Sequence, residues 1–132
     1  FQTDFLIKQA FKSNKKVAVP RIYGKDMKFH YINSLNDPFE LNKWDIREPL
    51  EPTPSWTSAD GRALMLTPGL AFSKGGGRLG RGGGFYDRYL SEYGNDLTTV
   101  GLCFEQQIRE DFPVNEHDYL INAVCSNRSF YN

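Results

Sequence analysis

Residues 75–88 gather seven glycines and three arginines into one run, Gly75-Gly76-Gly77-Arg78-Leu79-Gly80-Arg81-Gly82-Gly83-Gly84-Phe85-Tyr86-Asp87-Arg88. The run leads directly into Tyr86, Tyr89, Leu90 and Tyr93, which fall at i, i+3, i+4 and i+7 on one helical face and stop at Gly94. Glycine lets backbone amides approach an anion closely, and a helix N-terminus adds unpaired N–H groups and the positive end of its dipole. Arg78 and Arg81 can add charge-assisted hydrogen bonds to phosphate oxygens. The segment therefore reads as a phosphate cradle. It is not a Walker loop, because no Gly-Lys-Ser/Thr follows at the required spacing. Nor is it a dinucleotide fingerprint, because the strand lies too far upstream and no acidic residue follows at the usual interval. A flexible linker and an Arg-Gly-Gly RNA-binding tail are the competing readings. A linker would not run into an amphipathic helix, and such a tail would be repeated rather than embedded between strands.

The 132 residues suit one domain, 1–132. Hydrophobic residues make up 39% and charged residues 24%, the balance of a soluble globular chain, and ten Phe, seven Tyr and two Trp suffice for a small core. No apolar run approaches the roughly 20 residues of a membrane span, and no signal-peptide pattern opens the sequence. Sixteen basic residues balance sixteen acidic ones, so the chain as a whole does not advertise nucleic-acid binding. Locally, Lys74, Arg78, Arg81 and Arg88 crowd one segment, whereas Glu105, Glu110, Asp111, Glu116 and Asp118 crowd a later one. The first cluster suits a phosphorylated ligand and the second a metal ion, although solvated surface charge covers most of the second. Cys103 and Cys125 each sit in an apolar run and read as buried free thiols, neither zinc ligands nor a disulfide framework.

Along the chain, Thr3 reads as an N-cap with Asp4 in the first turn, and Ile7, Ala10 and Phe11 share a face. Residues 17–20 and 27–32 read as strands. Residues 36–61, rich in Pro, Asn, Asp, Ser and Gly, read as a long irregular connection. Residues 63–66 resume as a buried strand, 98–104 as another, 106–111 as a turn or short helix, and 123–126 as a last short strand. The pattern is α/β, with a mostly parallel sheet.

Thr67-Pro68-Gly69-Leu70-Ala71-Phe72, followed by Arg78-Leu79-Gly80-Arg81-Gly82-Gly83-Gly84-Phe85-Tyr86-Asp87-Arg88-Tyr89-Leu90, closely resembles the signature of the 5-formyltetrahydrofolate cyclo-ligase family. That family shows Pro-Gly-x-x-Phe and then Arg-Leu-Gly-x-Gly-x-Gly-Tyr-Tyr-Asp. The resemblance continues through Gly101, Phe104, Gln107, Pro113 and residues 115–118. It reaches back to Trp44-x-Ile46-x-Glu48-Pro49, Pro20-Arg21 and Thr3 with its helix, so it covers essentially the whole chain.

The resemblance implies a three-layer α/β/α, Rossmann-like fold of the CoA-transferase-like type. It implies a cytoplasmic, monomeric enzyme acting on ATP, Mg2+ and a small-molecule folate, without a membrane or nucleic-acid partner. Arg78, Leu79, Gly80, Arg81, Gly82, Gly83, Gly84, Phe85 and Tyr86 would form the ATP loop, with Arg78 and Arg81 catalytic. Asp87 and Asp118 would hold the magnesium; otherwise they are a helix N-terminal acid and a loop acid. Trp44, Phe85 and Tyr86 would contact folate, Trp44 being otherwise a satellite-core residue. Tyr89 and Tyr93 read as helix packing, and His30 and His117 receive no role.

Three departures stand out. Asp45 occupies a position where the family usually has Gly, so either a glycine conformation is not required or the loop differs. Asp60-Gly61-Arg62 stands where an Asp usually opens the strand before Pro-Gly. Only Phe1 and Gln2 precede Thr3, where the family has a basic helical segment and a folate-binding Glu, so the expectation is an N-terminally incomplete chain. The alternative is a non-catalytic binding relative that contacts RNA; the two magnesium carboxylates favour the enzyme.

Overall fold

A computed structural model describes residues 3–110, 112 and 119–132. They form two compact units that divide between Asp60 and Gly61.

The first unit opens with α1 (Asp4–Lys12), which packs against β1. Ile7, Ala10 and Phe11 are its partly covered face, as the spacing predicts, but Thr3 makes no side-chain cap. Strands β1 (Val17–Tyr23) and β2 (Asp26–Ile32) form an antiparallel hairpin in which Pro20 faces Phe29 without ending the strand. The far side of β2 is joined by 53–56: the Tyr31 N–H donates to the Pro54 carbonyl (2.8 Å) and the Trp56 N–H to the Phe29 carbonyl (2.7 Å). Buried His30 is a structural residue of this seam. Its Nδ1 donates to the Thr53 carbonyl (2.7 Å) and its Nε2 pairs with the Tyr23 hydroxyl (2.8 Å).

The expected irregular connection contains a further hairpin, β3 (Phe39–Leu41) with β4 (Arg47–Pro49), and a 3-10 turn at Ser58–Asp60. The hairpin escaped a reading by Gly and Pro because an asparagine builds its turn. Asn42 Oδ1 accepts the N–H groups of Trp44 (2.9 Å) and Ile46 (3.1 Å), and the Asn42 N–H donates to the Ile46 carbonyl (3.0 Å). Asp45 has φ 58°, so the glycine-type conformation is required after all and an aspartate adopts it.

In the second unit, β5 (Ala63–Thr67) is followed by the short antiparallel pair β6 (Ala71–Phe72) and β7 (Arg78–Leu79). Then come α2 (Phe85–Tyr93), β8 (Leu97–Leu102), β9 (Ala123–Cys125) and β10 (Phe130–Tyr131). Short 3-10 turns follow α2 at Gly94–Asp96 and β8 at Glu105–Gln107. The main sheet has the order β10-β9-β8-β5; β5 and β9 flank β8 in parallel, and β10 is antiparallel. The α/β expectation holds, and the main sheet is mixed, with two of its three pairings parallel and the short antiparallel β6–β7 pair outside it. β10 went unread because its two residues carry no periodicity.

Phe72, Leu90, Val124 and Cys103 are almost wholly buried in this unit. Full burial of each large apolar side chain contributes roughly 1.5–3 kcal/mol. Gly101 lets β8 meet Phe72: a Cβ there would lie 2.4 Å from the Phe72 ring. Burial also raises the pKa of the Cys103 thiol, which keeps it unreactive. β5 is less buried than its composition suggests. Met65 and Thr67 point inward, while Leu64 and Leu66 are 64% and 40% exposed. Tyr89 and Tyr93 meet as a tilted pair, 4.7 Å between ring centroids, in keeping with helix packing.

A carboxylate anchors the C-terminal hairpin. Glu105 accepts hydrogen bonds from the Ser126 hydroxyl and the Tyr131 hydroxyl (2.7 Å for the latter), and its N–H donates to Asn127 Oδ1 (2.7 Å). The Ser126 bond, then the Tyr131 bond, hold the Glu105 pKa below its ordinary value. A depressed carboxylate contributes stability above its unfolded pKa and loses it as pH falls through the folded one. Tyr131 NMR shifts should therefore stay native through the ordinary carboxylate range and move only at lower pH. Glu105→Gln should remove that acid transition; an unchanged transition would assign it to another group. In the first unit, Asp45→Gly should raise the unfolding free energy measured in urea by up to ~1 kcal/mol and Asp45→Val should lower it by ~1–2 kcal/mol, because left-handed backbone is strained for side-chain-bearing residues. A gain on Asp45→Val would contradict the strain.

Candidate functional site

The site begins where β5 ends. The turn at 68–70 leaves the C-terminal end of a strand whose neighbour is parallel, the edge at which ligands bind open α/β sheets. Two side chains hold this turn. Gln107 Nε2 donates to the Gly69 and Leu70 carbonyls (3.3 and 3.2 Å), and Arg78 NH1 donates to the Pro68 carbonyl (3.0 Å).

The glycine run then divides. Residues 75–77 close the β6–β7 hairpin: the Ser73 N–H donates to the Gly77 carbonyl (2.9 Å), and the Gly77 N–H donates to Ser73 Oγ (2.8 Å). Only 80–84 form the loop entering α2, so the glycine run serves a hairpin in its first part and a helix entry in its second. Gly84 stands at the N-cap with φ 71° and, as a glycine, offers no capping side chain of its own.

Three arginines surround this helix start, each placed differently. Arg81 is exposed on the loop. Arg88, one turn into α2, folds back toward the N-terminus as helical side chains do. Its NH1 lies 2.6 Å from where a Gly84 Cβ would stand, and its guanidinium lies 5.1 Å over the Phe85 ring. The sequence counted Arg88 in the basic cluster but gave it no role, although its spacing of four from Gly84 carried the signal. Arg78 lies beneath the loop with its side chain only 5% exposed. Its NH2 meets Asp87 Oδ1 at 3.3 Å, its guanidinium lies 5.5 Å over the Tyr86 ring, and its buried Nε has no hydrogen-bond partner among the described residues. Burial pushes the Tyr86 phenol up to about 12, opposed by the Arg78 charge.

Arg78, Leu79, Gly80, Arg81, Gly82, Gly83, Gly84, Phe85, Tyr86 and Asp87 are thus contiguous in one loop and helix start, with three cations against one carboxylate. Backbone N–H groups and arginines are the donors that phosphate oxygens take, and the Asp87 carboxylate beside them is of the chemical type that binds a hard cation. Asp118 and His117 lie outside the described residues. Among the described residues no cluster of three His, Cys, Asp or Glu side chains forms a metal cage. Trp44 belongs to the first unit, at the tip of the β3–β4 hairpin. It is 49% exposed with the Lys43 ammonium 4.5 Å from its ring, which corrects the satellite-core alternative. No helix among the described residues is long and apolar enough to cross a membrane.

Comparison with known proteins bears on the whole chain. Residues 1–127 match the model of the 5-formyltetrahydrofolate cyclo-ligase family. A probable 5-formyltetrahydrofolate cyclo-ligase of Schizosaccharomyces pombe is 30% identical over 95% of this chain and 68% of its own. The 5-formyltetrahydrofolate cyclo-ligase of Mus musculus is 35% identical over 93% of this chain and 66% of its own. The NMR structure of Aquifex aeolicus 5,10-methenyltetrahydrofolate synthetase superposes with a TM-score of 0.78 at 24% identity, covering 98% of this chain and 64% of that one, and so shows a shared fold. The chain spans about two thirds of the length of these relatives. With the family model covering nearly every residue and the Arg-Leu-Gly loop and Tyr-Asp helix start in place, the chain belongs to the 5-formyltetrahydrofolate cyclo-ligase family.

Proposed function

We propose that this protein is a folate cyclo-ligase, converting 5-formyltetrahydrofolate to 5,10-methenyltetrahydrofolate at the expense of ATP, with Mg2+ as cofactor. The observation that carries this reading is the glycine loop entering a helix at Gly84, flanked by Arg81 and Arg88 and joined to Asp87 through Arg78. The names of the family and its relatives supply the folate. In the proposed chemistry the formyl oxygen on N5 takes the γ-phosphoryl group of ATP, releasing ADP. N10 then attacks the activated carbon and loses its proton, and the phosphorylated oxygen leaves as inorganic phosphate. An amide-like oxygen is a poor leaving group until phosphorylated, so the protein's work is positioning and charge neutralisation.

In this reading residues 80–84 and the first turn of α2 cradle the phosphates, and Arg81 contacts them. Arg78 supplies buried positive charge and fixes Asp87. Asp87 and Asp118 are the proposed magnesium ligands, and a hard divalent ion there would neutralise phosphate charge. Phe85, Tyr86 and Trp44 are the proposed folate contacts. A single, monomeric, cytoplasmic domain with the three-layer Rossmann-like plan completes the proposal; the parallel β5–β8–β9 order supports that plan.

Turnover of 5-formyltetrahydrofolate by the full open reading frame, followed as near-UV absorbance of the methenyl product, should require both ATP and Mg2+. Silence under those conditions would end the enzyme reading. Asp87→Asn should abolish turnover with the far-UV circular dichroism unchanged; normal turnover would remove Asp87 from the metal site. The two loop arginines should separate. Arg81→Ala should chiefly raise the KM for ATP. Arg78→Ala should raise the Mg2+ concentration needed for half-maximal rate and destabilise the fold by about 1.5–3 kcal/mol, the scale of a charged hydrogen bond. Equal effects of the two substitutions on KM and stability would contradict these separate roles.

A further inference from the structure

We propose that Asn42 and Glu48 are positioning residues of the folate subsite, holding the hairpin turn that presents Trp44; this rests on the reading of Trp44 as a folate contact. Glu48 is a carboxylate only 7% exposed. A charge buried that deeply is unfavourable unless hydrogen-bonded, and a well-packed apolar residue is often as stable or more so. Its Oε2 accepts two hydrogen bonds, from the Ile22 N–H of β1 (2.9 Å) and from Asn42 Nδ2 (3.1 Å). The neighbouring Arg21 guanidinium, anchored on the Pro49 carbonyl at 2.9 Å, lies close enough to feel the Glu48 charge.

These partners define the Asn42 amide: the carboxylate accepts only from its NH2, so its oxygen faces the turn. There Oδ1 takes the N–H groups of Trp44 and Ile46 at 2.9 and 3.1 Å. A continuous chain of hydrogen bonds thus runs from the β1 backbone through Glu48 and Asn42 to the backbone of Trp44. Beyond it the hairpin presents Phe39, Leu41, Trp44 and Ile46, all exposed. Core stability does not explain this arrangement, because the side chains it holds are not in the core. A rigid platform for a flat ligand does.

The test compares Asn42→Ala, Trp44→Ala and the double variant, with Asn42→Ser beside them because a shorter hydroxyl can still accept the turn N–H bonds. Trp44→Ala should raise the KM for folate about tenfold, the scale of one lost aromatic contact, and leave the KM for ATP unchanged. Asn42→Ala should raise the same constant, Asn42→Ser should do so less, and the double variant should be no worse than Trp44→Ala alone. In a Trp56→Phe background, Asn42→Ala should lower the fluorescence anisotropy of Trp44 and increase its quenching by acrylamide. Should Asn42→Ala fail to fold, Asn42→Ser carries the same comparisons. An Asn42 penalty that persists without Trp44, or unchanged Trp44 anisotropy, overturns the positioning role while leaving Trp44 as a folate contact. No effect of Trp44→Ala on the folate KM overturns the Trp44 reading itself, and the positioning role with it.

Discussion

The Arg78 guanidinium carries a full charge into a place only 5% exposed, where a charge is costly unless it is paired and hydrogen-bonded. The Pro68 carbonyl and the Asp87 carboxylate are its acceptors. One side chain therefore ties the turn leaving β5 to the first turn of α2, with the glycine loop spanning the gap above it. Gln107 grips the same turn from the other side through the Gly69 and Leu70 carbonyls. The outcome is a helix start whose direction is set from below. A helix start held in this way suits the phosphate binding proposed for it, because charge stabilisation favours a preorganised site.

The first unit uses the same device with the sign reversed. Glu48 is the buried charge, and the Ile22 N–H and the Asn42 amide are the groups that satisfy it. In both units a buried ionised side chain fixes the backbone of a loop, and exposed side chains borne by that loop face outward: Arg81 in one, Trp44 in the other. Such placement suits chemistry in which the protein orients reactants and neutralises charge without supplying a nucleophile. Consistent with that, His30 spends both ring nitrogens on structural partners, and burial holds the Cys103 thiol in its neutral form.

How far the sequence could be read depended on whether each signal was local. The α2 helix, its aromatic face and its stop at Gly94 follow from a spacing contained within nine residues, and the helix forms at Phe85–Tyr93. The β3–β4 hairpin was missed because Asn42 and Asp45 build its turn with side-chain and left-handed backbone geometry that a count of glycines and prolines does not detect. The glycine run looked continuous, yet Ser73 closes its first part into a hairpin and only its second part reaches the helix. Leu64 and Leu66 looked buried because an apolar run does not reveal which alternate residues face solvent.

By itself, the sequence determined the α/β class, the family, and the residues that line the loop and helix start, because these are encoded in contiguous spacing and in glycine's steric freedom. Tertiary structure alone decided that Arg78 points under the loop to Asp87, that Arg88 folds back over Gly84, and that Glu48 joins the Asn42 turn to β1. Those facts depend on which groups are brought within about 3 Å of one another and shielded from water, where an unmatched charge or donor is costly. Residue order sets which partners exist; only the folded chain sets which of them meet.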